Sequence, residues 1–137
     1  MGPEEDLLRQ VKRALKQISA PVYYDGHPHD ADYPQVIIDL TNGQNQPHEF
    51  KAIERTKLTV AVDVYADPTQ TAQRLRLNNE IRNVMETVRC AHWWSDFDNY
   101  SERTMDDESY DGSSLKRTAF LFDYITQGIA IKKGGNE

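Results

Sequence analysis

The sequence is poor in cysteine, with Cys90 alone among its 137 residues. A single thiol forms neither an intramolecular disulfide nor a four-cysteine zinc site, and this scarcity is typical of a protein made in a reducing cytoplasm. No apolar run approaches the roughly 20 residues that cross a bilayer. The acidic start MGPEEDLLRQ also lacks the basic and apolar regions of a secretory signal. We therefore expect neither a membrane span nor an export signal.

Basic blocks are lacking as well. The chain has 16 Lys and Arg against 22 Asp and Glu, which gives a net charge of -6. Proteins that hold nucleic acid tightly without regard to sequence need clustered cations to neutralise phosphates, so the composition does not favour that class. The length is far below the roughly 250 residues of a (βα)8 barrel. It predicts one domain over residues 1–137, with an ordered core over about 4–131 and a frayed tail over 132–137.

The usual catalytic signatures are missing. The sequence contains no G-x-S-x-G elbow, P-loop, dinucleotide fingerprint or zincin helix. Cys90 has His92 nearby, but no third group is evident that would orient the imidazole. We expect no enzyme activity, no catalytic residues and no cofactor.

Two amphipathic helices are predicted from apolar residues that recur every three or four positions. The first runs from about Glu4 to Ile18. The second begins at Asp67-Pro68-Thr69-Gln70, which combines an N-cap, a first-turn proline and a capping-box glutamine, and it runs to about Cys90. The stripes are Leu7, Leu8, Val11, Leu15 and Ile18 in the first helix, and Leu77, Ile81, Val84, Met85 and Val88 in the second.

Strands are predicted where β-branched and aromatic residues cluster or alternate with polar ones. The predicted ranges are 22–24, 35–40, 57–65, 97–105 and 115–126. The last range carries apolar residues on both faces, which predicts a position inside the sheet or under a partner subunit. The pattern as a whole indicates an α+β fold: an antiparallel sheet of about four to five strands of mixed length, with two amphipathic helices on one face.

Two loops are candidate interaction surfaces. Asn42 and Gly43 predict a chain reversal, followed by a hairpin tip that is longer than the turn requires and continues to Lys51. The stretch from Asp106 to Ser114 reads as an acidic turn. The candidate contact residues are Asn42, Gly43, Gln44, Asn45, Gln46, His48 and Phe50 in the first loop, and Asp106, Asp107, Glu108, Tyr110 and Asp111 in the second.

Two stretches have the residue types of cation sites. In GHPHDADYP, His27, His29, Asp30 and Asp32 could bind a divalent metal, but the spacing favours a solvated loop rich in turn formers. Asp107, Ser109, Asp111 and Gly112 occupy the first, third, fifth and sixth positions of a calcium loop. The twelfth position is Thr118 rather than glutamate, so an acidic hairpin tip is the favoured interpretation.

Adjacent tryptophans follow the second helix. Trp93 and Trp94 could stack on a base or a ligand. The favoured alternative is that one ring caps the core and the other lies at the surface or at an interface.

The order of these segments resembles the tail terminator and tail completion proteins of long-tailed bacteriophages. The resemblance covers about residues 4 to 127 and rests mainly on the passage from Tyr24 to Leu40 and on VDVYADPTQTAQRL at Val62 to Leu75. It extends to VYYDGHPHDADYPQVIIDLTNG, to KLTVAVDVYADP and to the final LKRTAFLFDYI.

This resemblance implies a small protein that closes into a six-membered ring on the tail tube, stops tube elongation and presents a surface to the head connector or stopper protein. It implies partners in other copies of the chain and in the tail tube protein, and a location in the virion tail after assembly in the host cytoplasm. It transfers no catalytic residue. If DNA slides through the ring, an acidic channel wall avoids phosphate adhesion. Glu54 and Asp63, with Asp106, Asp107 and Glu108, are the candidate lumen acids.

Two alternatives stay open. The chain could be another component of the phage neck, such as a connector or stopper. It could instead be a small cytosolic ligand-binding or metal-dependent enzyme domain that uses the His27 to Asp32 loop.

Overall fold

The computed structural model describes residues 1–30, 32–45, 55–109 and 111–128, with the backbone alone for 41–45. The elements in chain order are α1 (Pro3–Ala14), a 3-10 turn (Leu15–Gln17), β1 (Val22–Tyr23), β2 (Gln35–Asn45), β3 (Arg55–Ala66), α2 (Thr71–Met85), β4 (Trp94–Glu108) and β5 (Ser114–Gln127). The predicted α+β class is confirmed.

The strands form one sheet in the order β1-β2-β3-β5-β4. β5 therefore lies between β3 and β4, inside the sheet, as its two apolar faces predict. The sheet differs from the prediction at one edge, because β1 runs parallel to β2 with Val22 opposite Val36. A parallel pair needs a crossover rather than a hairpin, and residues 24–34 provide it.

One face of the sheet builds the core. Side chains alternate along each strand, so Val36, Val62 and Phe120 share a face with Tyr124. Both helices pack on that face, through Leu7, Val11 and Leu15 from the first helical segment and Leu77, Ile81 and Met85 from α2. A smaller cluster of Ile37, Tyr65 and Leu115 is buried on the opposite face, beside Tyr23 and Tyr33.

The predicted reversal at Asn42-Gly43 is wrong. β2 continues through these residues and pairs with β3, with Asn42 opposite Thr59 and Asn45 opposite Thr56. The register shifts between Leu40 and Asn42, but pairing of β2 with β3 continues beyond the shift. Cross-strand hydrogen bonding therefore outweighs the turn preference of Asn-Gly. Asn42, Gly43, Gln44 and Asn45 are thus strand residues. Gln46, His48, Phe50 and Glu54 lie outside the described residues.

The second helix and the acidic turn are both shorter than predicted. α2 begins at Thr71, with Gln70 as its N-cap, and ends at Met85, whereas the predicted helix began at Asp67 and ran to about Cys90. Gln70 Oε1 accepts the Asp67 N–H at 2.9 Å, but this bond lies in a turn before the helix, so the predicted N-cap at Asp67 and its capping box are wrong. The acidic turn is shorter than predicted because β4 continues to Glu108, with Asp106 paired opposite Lys116 on β5. The turn is therefore confined to the residues after Glu108 and before Ser114, and among the hairpin residues Tyr110 lies outside the described part of the chain.

Candidate functional site

The strand at one edge of the sheet, β4, forms an acidic flank. Its acids are Asp96, Asp98, Glu102, Asp106, Asp107 and Glu108. Cations from neighbouring elements pair with four of these acids. Arg82 Nη1 lies 2.9 Å from Glu102 Oε1, and Arg89 Nη2 lies 3.0 Å from Asp96 Oδ1. Lys116 pairs with Asp106, and Arg117 pairs with Asp107 at 3.3 Å. Trp94 is 52% exposed and Tyr100 is 36% exposed on the same strand. This flank therefore combines negative charge with aromatic surface.

The opposite edge has the reverse character. The C-terminal half of the first helical segment exposes Arg9, Lys12, Arg13 and Lys16, and no acid interrupts the range 9–16. Lys12 and Lys16 border a groove that Leu15, Ile18, Ala20, Val22 and Tyr24 complete. The Lys12 ammonium lies 5.0 Å from the centre of the Tyr24 ring. We call this surface the basic flank.

The sheet face away from the helices carries a charged cluster. Arg117 Nε donates to Asp63 Oδ1 at 2.9 Å, and Arg117 Nη1 lies 3.3 Å from Asp107 Oδ2. Burial raises the pKa of Asp63, and the Arg117 guanidinium opposes that rise. Asp63 is thus a partly buried, ion-paired acid. Its predicted place on a channel wall stays a prediction.

The hairpin turn between β4 and β5 uses its own acid internally. Asp111 Oδ1 accepts hydrogen bonds from the Ser109 hydroxyl and from the Ser113 N–H, the latter at 3.0 Å. These bonds, that of Ser109 first, lower the pKa of Asp111 to about 2. Gly112 adopts φ +86, in the left-handed region that glycine tolerates. Asp111 in the turn and Asp107 in β4 are therefore both engaged in contacts within the protein.

The loop after β1 brings a carboxylate and two imidazoles together. Asp25 Oδ2 lies 2.7 Å from His29 Nε2 and 3.5 Å from His27 Nε2. Side-chain contacts also lower the pKa of Asp25, chiefly the hydrogen bond from His29. Sequence reasoning named the two histidines and missed Asp25, although the alternating spacing of residues 25, 27 and 29 was a usable signal. Asp30 and Asp32 do not belong to this cluster.

Cys90 lacks the character of a nucleophile. Burial raises the pKa of its thiol to about 11, which leaves little thiolate at neutral pH.

A buried carboxylate connects the residues after Cys90 to α1. The backbone N–H groups of Ala91 and His92 donate to Asp6 on α1, at 3.0 and 2.7 Å. The segment between α2 and β4 is thereby tied to the first helix, a contact that sequence reasoning missed.

The tryptophan pair divides as the favoured interpretation predicts. Trp93 is 8% exposed, and its Nε1 donates to the Met1 carbonyl at 3.3 Å. Trp94 points outward on the acidic flank.

Comparisons with known proteins give no family for this chain. No protein-family model matches the sequence, and no curated protein matches it at a significant level of similarity. Within the described ranges, no helix is both long and apolar enough to span a bilayer.

Proposed function

We propose that the protein is a tail terminator of a long-tailed bacteriophage. Copies of the chain close into a ring on the end of the tail tube, stop its elongation and offer the head connector or stopper a joining surface. The ring has six members in the family that the sequence resembles. It acts by shape and without catalysis, this function needs no cofactor, and DNA passes through the ring without specific binding.

The observation that carries this proposal is the unlike chemistry of the two edges of one sheet. A closed ring of identical subunits needs two different, complementary patches on each copy. The acidic flank offers carboxylates with Trp94 and Tyr100, and the basic flank offers cations around an apolar groove. Opposite charges favour head-to-tail contact, and the aromatic rings supply apolar area to bury.

The sheet face that the helices leave uncovered gives secondary support. Leu121 is 44% exposed there, and Ala61, Ala119 and Ile125 are partly exposed beside it. Such a face suits a second contact, with the tube protein or with the head-joining protein.

Charge reversal at each flank tests the proposal. The basic-flank variant combines Lys12→Glu with Lys16→Glu, and the acidic-flank variant combines Asp98→Lys with Glu108→Lys; all four side chains are exposed. Purified tail tube protein is allowed to polymerise with each variant. Tube length is measured by electron microscopy, and ring mass is measured by light scattering against six times 15.8 kDa.

Wild-type protein is expected to give tubes of limited length with a ring at the end. Each reversed variant is expected to lose ring formation, because like charges then meet at the contact. A chain that carries both reversals has complementary flanks again and is expected to recover. Arg76→Glu, exposed on α2 outside both flanks, is the control for a single reversal. Tubes that elongate equally with and without wild-type protein would refute the proposal. A doubly reversed chain no better than either parent would refute the contact between flanks.

A further inference from the structure

The loop between β1 and β2 contains a set of side chains suited to a transition metal ion. The ligand atoms of Asp25, His27 and His29 all lie within 4.8 Å of one another. Ligands about 2.0–2.1 Å from a tetrahedral zinc ion are separated by about 3.3 Å. The 2.7 and 3.5 Å distances from Asp25 Oδ2 to the two imidazoles bracket that separation. Small side-chain movements are therefore enough to admit the ion.

The two imidazole rings are held in place by other contacts. The His29 ring stacks on Tyr23 with centroids 3.9 Å apart, and the His27 ring stacks on His29 at 5.1 Å. The three rings form one stack that starts on a strand of the sheet. Rings ordered in this way lose less side-chain freedom when they take up a ligand.

The backbone of the loop is anchored from below. Gln35, fully buried at the start of β2, accepts the His29 N–H at 2.7 Å, and its side-chain amide donates to the His29 carbonyl at 3.1 Å. Gly26 adopts φ +79, and a Cβ placed there would lie 3.3 Å from Asp39 Oδ2. The Asp25-Gly26 turn is thus packed closely against the side chain of Asp39 on β2, which leaves little room for a larger residue at Gly26.

The hydrogen bonding of His27 also matches a metal ligand. Its Nδ1 lies 3.3 Å from the Pro28 carbonyl oxygen. When Nε2 binds a metal ion, Nδ1 carries the ring proton and can donate that bond. Metal-bound histidines usually show this pattern, in which the second ring nitrogen donates to a carbonyl or carboxylate.

We propose that Asp25, His27 and His29 bind one divalent transition metal ion, with Zn²⁺ as the best-suited ion. Two imidazole nitrogens and one carboxylate oxygen suit zinc better than the all-oxygen shells of Ca²⁺ or Mg²⁺. The ion takes the place of the proton that His29 Nε2 shares with Asp25, and the neutral His29 ring then carries its single proton on Nδ1. Water occupies the fourth position. The site stabilises the crossover between β1 and β2, and it does not depend on whether the protein forms rings.

The test uses untagged, chelator-treated protein titrated with Zn²⁺ alone in a calorimeter, with thermal unfolding measured in parallel. Wild-type protein is expected to bind one ion per chain and to unfold at a higher temperature when zinc is present. His27→Ala removes a ligand whose side chain is 67% exposed, so folding is retained. Its affinity is expected to fall by about tenfold or more. Asp25→Asn is expected to show the same loss.

His92→Ala is the matched control, because His92 is a histidine outside the cluster. It is expected to bind zinc as the wild type does. Substitution of Co²⁺ in the wild type should give the visible absorption of a site with nitrogen ligands, and His27→Ala should lack it. The proposal is overturned if wild-type protein takes up no zinc at micromolar concentration. It is equally overturned if His27→Ala retains wild-type affinity, or if His92→Ala loses as much as His27→Ala does.

Discussion

Replacement of Asp6 by alanine removes the buried link between α1 and the segment that precedes β4. The Asp6 carboxylate is fully buried, and its two oxygens accept the N–H groups of Ala91 and His92 at 3.0 and 2.7 Å. A hydrogen bond to a charged group contributes about 1.5–3 kcal/mol, and the orphaned donors lose a partner that water cannot fully replace. The variant is therefore expected to lose about 3–6 kcal/mol, a large part of the roughly 5–15 kcal/mol typical of a domain.

Urea denaturation followed by tryptophan fluorescence measures this loss, because Trp93 and Trp94 follow the tied segment. Glu5→Ala is the matched control. Glu5 is also in the first turn of α1 but is exposed, and its ion pair among the described residues is with Arg9, at 3.4 Å. Loss of an exposed pair and of a first-turn acid costs about 1 kcal/mol. If Asp6→Ala lowers the free energy of unfolding no more than Glu5→Ala does, the buried carboxylate does not hold these elements together.

Two further predictions concern the core and the hairpin turn. Leu77 is 2% exposed, so Leu77→Asp should abolish the cooperative thermal transition, because it places a charge in the contact between helix and sheet. Leu75 is 54% exposed, so Leu75→Asp should keep the transition. A native-like melting curve for Leu77→Asp would contradict the assigned core face. Ser109→Ala should raise the pKa of Asp111 from about 2 toward its ordinary 3.8, as followed by NMR titration of the carboxyl carbon. Because the pKa of Asp111 is lower in the folded protein, its ionised carboxylate stabilises the fold at pH values above 3.8, and this stabilisation is lost as the pH falls toward 2. The variant lacks most of this contribution, so its free energy of unfolding should fall less on acidification. An Asp111 that titrates near 3.8 in the wild-type protein would contradict the hydrogen bonding of the turn.

The candidate metal cluster illustrates how far local sequence carries. His27 and His29 are visible as a His-x-His pair, but the choice among nearby acids depends on how the loop folds. Gly26 turns the chain with a positive φ and leaves Asp25 facing both imidazoles, while Asp30 and Asp32 belong to a later part of the loop. Proximity in sequence therefore pointed to two acids that the structure places outside the cluster.

The same limit applies to charge. From the sequence, Asp63 is an acid on an alternating strand with no cation close to it along the chain. The register of β3 against β5 nevertheless places Arg117 Nε 2.9 Å from Asp63 Oδ1. Register is set by hydrophobic matching along whole strands, so no local pattern reveals this pairing. The Asn-Gly reversal failed for a related reason, since pairing with β3 overrides a local turn preference.

The amino-acid sequence by itself determined the class of fold, with two amphipathic helices and several alternating strands. The reason is that the spacing of apolar residues shows which face each element buries. Only the tertiary structure decided that β1 runs parallel to β2, that Asp6 reaches a segment far along the chain, and that acidic and basic surfaces lie at opposite sheet edges. Those features depend on which strands become neighbours. Neighbour choice is a global balance of burial and hydrogen bonding that short-range sequence patterns do not encode.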